Sequence, residues 1–388
     1  MYNDTINKSK ITTGRFYLLD LARAVAAICV VLQHYQHFYY VSPQVYVDNF
    51  SRDQQPFYNL IKPFYMFGNV AVQFFFVLSG FIFFFMYREL ISEKKINFTN
   101  FIILRISRLY PLHLLSLMMV MILQIIYMDF NNLYFAYSSN TLKNFILHFF
   151  LIHEWGYGIS WSFNAASWSI SVEFLLYITF FYIALNSIKN LSQSIFFLML
   201  ICLFFILTQS KLGLMPEGFV CFYIGGVTYF LYQKLKEIMI SSKNKKILIV
   251  IALIIINFFV MGRFFNSIFY EWQEQLNFLT GNRIMLLLFF IKFPLIIISL
   301  SLLQIIFTDL GKSFQFLGDI SYTLYLIHFP VEIVFSLFDT QISPLNFSSN
   351  YVFLTYFLVI FLSSLIVYKF FEIPLKKIIR KKLIKKPI

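Results

Sequence analysis

FFFVLSGFIFFFM (74–86) and LIVIALIIINFFVM (248–261) decide the fold. Neither run carries a charge, and similar runs recur along most of the chain. Of its 388 residues 59% are hydrophobic and only 13% charged, with 52 Phe and 25 Tyr, and the mean hydropathy is +0.73. Soluble domains are about 45–50% apolar and about 25% charged. The charge here is too sparse to coat the two or three water-facing domains that this length would make. The reading is an all-α polytopic integral membrane protein, and it excludes disordered, disulfide-rich secreted and nucleic-acid-binding classes. Cys29, Cys202 and Cys221 sit in apolar segments, odd in number and without metal-ligand spacing, so they read as packing residues and no metal is expected. The first apolar run, after Arg15, has no small-residue cleavage site and is expected to stay as a span rather than leave as a signal peptide.

A membrane helix needs roughly 20 mostly apolar residues. The stretches that qualify are 16–40, 71–87, 108–128, 167–188, 193–209, 218–233, 247–262, 283–307, 320–338 and 350–371. Segment 143–155, short for a crossing and followed by the polar run GYGISWSFNAAS, reads as a re-entrant or interfacial piece. With about ten transmembrane helices and both termini cytoplasmic, 23 of the 31 Lys and Arg residues fall on the inner side. An eleventh crossing would put the basic C-terminal tail outside, against the positive-inside bias. The net charge of +13 is therefore read first as topology. The expected organisation is a cytoplasmic N-terminus (1–15), one transmembrane domain (16–372) and a basic cytoplasmic tail (373–388) able to lie on anionic headgroups.

Charged groups within spans are costly and mark functional sites by default. Asp20, Arg23 and His34 lie in the first span, with His37 near its outer end. Arg23 and His34 are eleven residues apart, about three turns, so they share a face roughly 16 Å apart along the axis. Asp20 can pair with Arg23 on that face. The spacing equally allows a snorkelling arginine and a hydrogen-bonded interfacial histidine. In NAASWSISVEFLLY (164–177), Glu173 falls about 9 Å inside its span, at a depth similar to that of His34. A Glu173–His34 pair would hold the ring and raise its basicity; hydrogen bonding of Glu173 to Ser and Tyr alone is the plainer alternative. Asn164, Trp168 and Ser171 of the same segment are candidate supporting residues. Arg105 and Arg108, three apart at the inner mouth of the third span, suit a polyanion because guanidinium forks match phosphate, though topological anchoring explains them as well. Ser321, Tyr325 and His328 make a polar stripe on one helix face.

The segments YLLDLARAVAAICVVLQHY with its Arg-x10-His (Arg23, His34), VQFFFVLSGFI (72–82), RISRLYP (105–111), SWSISVEFLLY (167–177), GDISYTLYLIHFPV (318–331) and FFEIPL (370–375) occur in that order. Together they resemble acyltransferase family 3, the transmembrane acyltransferases that include surface-polysaccharide O-acetylases. Ala24 stands where members often carry Gly, and the chain looks like the stand-alone form without an extracytoplasmic hydrolase-like domain. The resemblance implies acyl-CoA, acetyl-CoA above all, as a cytoplasmic donor substrate with no permanently bound cofactor. It also implies an envelope glycan or lipid-linked glycan as acceptor, a bacterial inner membrane, and membrane lipids but no nucleic acid as partners. In that frame His34 and Glu173 are the expected catalytic pair, and Arg23, Arg105 and Arg108 bind the donor. The alternative from another class is a transporter or flippase of a glycan, lipid or anion, in which the same buried charges would relay protons or hold cargo.

Overall fold

The computed structural model describes residues 15–156, 161–186, 188–207, 214–240 and 287–384. The described residues are dominated by helices, the form that satisfies every backbone group internally where no water is available. Helix α1 (Tyr17–His34) runs on through a 3-10 turn (Tyr35–Tyr39) into a small antiparallel hairpin, β1 (Tyr40–Ser42) and β2 (Val45–Tyr46). Next come α2 (Tyr58–Ser92), α3 (Phe98–Asn131), the short α4 (Leu142–Phe149), α5 (Trp168–Asn186), α6 (Leu191–Leu207) and α7 (Met215–Ile240). Beyond a π turn at Leu288–Lys292 follow α8 (Phe293–Ile306), α9 (Gln315–Gln341) and α10 (Asn350–Val367). A second π turn (Tyr368–Glu372) leads to the basic α11 (Ile373–Leu383).

Among the described residues, seven helical stretches are long and apolar enough to cross a membrane. They begin at Tyr17, Tyr58, Phe98, Ala165, Leu288, Lys312 and Asn350. The expected spans 71–87, 108–128 and 320–338 are the apolar centres of longer helices. The expected 193–209 span corresponds to α6, apolar but shorter than the seven, and 218–233 to part of α7. The expected span 247–262 lies outside the described residues. Segment 143–155 forms only the two turns of α4 followed by irregular chain, as its length dictates. The expected tail is helical in its first part. Arg380 of α11 reaches back to α3, donating to Ser107 Oγ at 3.0 Å and to the Leu104 carbonyl at 3.2 Å.

Two helix crossings position the site. Helix α1 lies along α2 on one side and α9 on the other. It runs parallel to α9, so that Asp20 meets Gly318 at one end and His34 meets His328 at the other. Helix α2 crosses α7 at backbone contact: a methyl group on Gly80 would stand 1.8 Å from the Phe222 carbonyl oxygen, and one on Gly225 would stand 2.2 Å from that of Val77. Hydrophobic association is weak within lipid, so helices pair by close packing of small residues. Forcing a side chain into such a contact costs about 1–3 kcal/mol. Gly225→Ala is therefore expected to unfold several degrees below wild type when purified protein is heated in detergent. An unchanged unfolding temperature would mean that the crossing tolerates a wider separation than the structure has.

Candidate active site

The polar interior has two ends. At the first, Arg23 is held in place: its Nη2 pairs with Asp20 at 3.0 Å and donates to the Gly318 carbonyl at 2.6 Å, and its Nε donates to Ser321 Oγ at 3.1 Å. The expected Asp20–Arg23 pair thus forms, and Arg15 clamps Asp20 to Asp319 from outside. Gly318 allows this approach, because a methyl group there would lie 2.5 Å from Asp20 Cβ.

Eleven residues further along α1, His34 Nδ1 meets His328 Nε2 at 2.9 Å. Behind this pair lies Glu332, with no exposure at all; its Oε1 is 4.0 Å from His328 Nε2 and accepts a hydrogen bond from Tyr356 at 3.1 Å. Its Oε2 accepts from His37 Nδ1 at 2.8 Å, and the other nitrogen of His37 meets the Tyr137 hydroxyl at 3.2 Å. A buried carboxylate must be paired or protonated, and three histidines and a tyrosine surround this one. His34 and His37 are also part of the wall of a cavity of about 710 Å³, which Trp161, Trp168, Tyr325 and Gln73 line as well. That volume falls within the range usual for ligand sites.

The expected Glu173–His34 pair does not form. Glu173 instead accepts from Ser79 Oγ at 3.0 Å and from Tyr177 one turn on at 2.5 Å. Depth along a helix fixes only one coordinate, and the face of α5 that carries Glu173 turns to α2. Arg105 and Arg108, three residues apart, differ in their surroundings. Helix α3 starts at Phe98, so Arg105 is about 10 Å along it. Arg105 is buried, hydrogen-bonded to Tyr87, with its guanidinium carbon 5.1 Å from the Phe83 ring and 4.6 Å from that of Tyr87. Arg108 makes no hydrogen bond among the described residues and stands within electrostatic reach of Glu173, Glu372 and Tyr177. The two arginines are unlike each other in what they hold.

The stripe on α9 links the two ends. Ser321 meets Arg23, Tyr325 donates to the Ala166 carbonyl at 2.6 Å, and His328 meets His34. Pro330 has no N–H to give to Leu326 four residues back. The freed Leu326 carbonyl accepts instead from Asn164 Nδ2 at 2.9 Å, which ties the 162–167 segment to α9 beside the histidines. Trp168 lines the cavity, whereas Ser171 braces the chain behind it, donating to the Leu151 carbonyl at 2.9 Å. The residues that sequence reasoning missed are Glu332, Tyr137 and Tyr356. The one available signal was the i,i+4 spacing of His328 and Glu332 in HFPVE.

A bundle of membrane-length helices, with a buried His–His–Glu array opening on a ligand-sized cavity, has the build of a membrane-embedded enzyme. The chain belongs to acyltransferase family 3: the family's model, described as an acyltransferase domain, matches residues 16–369. No curated protein and no solved structure matches the chain. Family membership covers nearly the whole chain and decides for an acyltransferase over a transporter or flippase.

Asn164→Ala would leave the Leu326 carbonyl buried without a donor, at a cost of about 1–3 kcal/mol. It is expected to lower the unfolding temperature and to loosen the cavity wall, read as faster proteolysis within 161–167. Unchanged stability and proteolysis would show that this hydrogen bond does not hold the segment.

Proposed function

We propose that this acyltransferase moves an acyl group, acetyl in the simplest case, from cytoplasmic acyl-coenzyme A to a hydroxyl of an envelope or surface glycan or its lipid-linked precursor. The observation that carries the reading is the state of His34, with one ring nitrogen held by His328 and the ring on the cavity wall. With Nδ1–H donating to His328 Nε2, the Nε2 of His34 is a free lone pair. It takes the proton of the acceptor hydroxyl as that oxygen attacks the thioester carbonyl. A C–O bond forms, the C–S bond breaks, and coenzyme A leaves as the thiolate, which takes up the proton. A positioned base of this kind contributes roughly 10²–10⁴-fold in rate.

Positive charge arising on His34 passes toward His328 and is balanced by Glu332, which fills the part first assigned to Glu173. Glu173 is better assigned to balancing Arg108 at the donor end. Arg108 and Arg23 would receive the donor's phosphates and polar arm, while Arg105 holds α3 to α2 through Tyr87. The aromatic and amide side chains of the cavity suit the faces and hydroxyls of a sugar. Charge bias favours cytoplasmic termini in a bacterial inner membrane, with the donor end inward and the histidine end toward an exported glycan. The dry bundle between the two ends shields the thioester from water.

Deletion of the gene is expected to remove one acyl increment from the mass of a surface glycan, and His34→Ala should fail to restore it although the protein is inserted. Restoration by His34→Ala at the wild-type rate would end the assignment of the base. Arg108→Ala is expected to weaken acyl-CoA binding by about 1.5–3 kcal/mol, the worth of a hydrogen bond to a charged group. Arg105→Ala should chiefly lower stability. Equal effects of the two on donor affinity would contradict their different roles.

A further inference from the structure

We infer that His34, His328 and Glu332 form a binding site for a divalent transition-metal cation of the zinc class, and that the cation silences the enzyme by taking the place of the proton between the two histidines. One ligand atom from each residue lies within 4.8 Å of the other two. The set is two imidazole nitrogens and one carboxylate oxygen, buried behind the cavity wall to which His34 belongs. Two histidines and one glutamate make a donor set that zinc adopts, at about 2.0–2.2 Å per ligand, with a water completing the shell.

The separations suit such an ion. Tetrahedral ligands at those bond lengths stand about 3.3 Å apart. The His34–His328 nitrogens, at 2.9 Å, need to part by a few tenths of an ångström, and the Glu332 oxygen, 4.0 Å from His328 Nε2 and within 4.8 Å of the His34 nitrogen, needs to close on both by about an ångström. His328 and Glu332 are successive turns of one helix face, so a single rotamer adjustment of Glu332 serves. Support around the ligands is already built: His37 holds the other oxygen of Glu332 at 2.8 Å, and Tyr356 holds the near one at 3.1 Å. Partners of this kind orient metal-binding carboxylates. Mg²⁺ and Ca²⁺ prefer all-oxygen shells, whereas imidazole nitrogen favours zinc and its neighbours.

The consequence for chemistry follows from the ring. A cation on Nδ1 of His34 displaces the proton there, and the neutral ring then carries its proton on Nε2. The cavity-facing nitrogen becomes a donor and cannot accept the hydroxyl proton. The inhibitory half of this inference rests on the reading of His34 as the base, whereas the site itself does not.

The test uses purified full-length protein in nanodiscs, with Co²⁺ as the probe. Wild type is expected to bind one Co²⁺ with the visible ligand-field bands of a tetrahedral site, displaced by Zn²⁺ and not by Mg²⁺. His328→Ala and Glu332→Gln should each weaken binding at least tenfold. His34→Asn, at a position half-open to the cavity, guards against misfolding of the deeper variants and should do the same. His113→Gln, outside the cluster, should keep the bands. Zn²⁺ should stop acyl transfer by wild type, and a chelator should restore it. Absence of bands in wild type, or bands that persist in His34→Asn and His328→Ala, overturns the site. Transfer that continues with the site loaded overturns the silencing. Neither result bears on the base, which is read separately from the transfer rate of metal-free His34→Asn.

Discussion

A carboxylate with no exposure, Glu332, governs the histidine end of the bundle. Isolated in an apolar interior such a group is costly by several kcal/mol, and removing one partner of a buried pair costs about 3–5 kcal/mol. The surrounding elements supply its partners from four directions: His328 from its own helix, His37 from the turn after α1, Tyr356 from α10, and Tyr137 through His37. Satisfying one acid thus fixes how α1, α9 and α10 meet. His328, beside this acid, engages Nδ1 of His34, whose ring lines the cavity.

The opposite end is organised by cations instead. Arg23 is locked to α9 by two hydrogen bonds and to Asp20 by an ion pair, and Arg105 is enclosed by aromatic rings. Arg108, close to two carboxylates, makes no hydrogen bond among the described residues and so has more capacity left for a ligand than Arg23 or Arg105. Roughly 16 Å of helix separates Arg23 from His34. The long donor proposed above, with an anionic head and a thioester at its far end, would span this separation between the proposed phosphate site and the proposed base.

Much of this was legible in the sequence because helix geometry is regular. Apolar runs gave the membrane class, and the Arg23–His34 spacing placed both on one face without any tertiary knowledge. The stripe Ser321, Tyr325, His328 was legible for the same reason. What failed was azimuth between helices. Glu173 and His34 were matched by depth, but depth does not say which neighbour a side chain turns toward. Glu332 was passed over because its identity as a buried acid depends on α10 and the turn at Tyr35–Tyr39 closing over it. The difference between Arg105 and Arg108 was likewise invisible, since it comes from Tyr87 on another helix. The role of Pro330 in freeing a carbonyl for Asn164 joins residues 166 positions apart, which no local pattern reports.

The central claim is that His34 presents an unprotonated Nε2 to the cavity while its Nδ1–H is held by His328. Nitrogen-15 solid-state NMR of histidine-labelled protein in lipid, with His34→Asn to assign the signals, reads this directly. The account predicts a neutral His34 ring at pH 7 with the proton on Nδ1 and a bare Nε2. A ring protonated on Nε2 with a bare Nδ1, in metal-free protein, would contradict it.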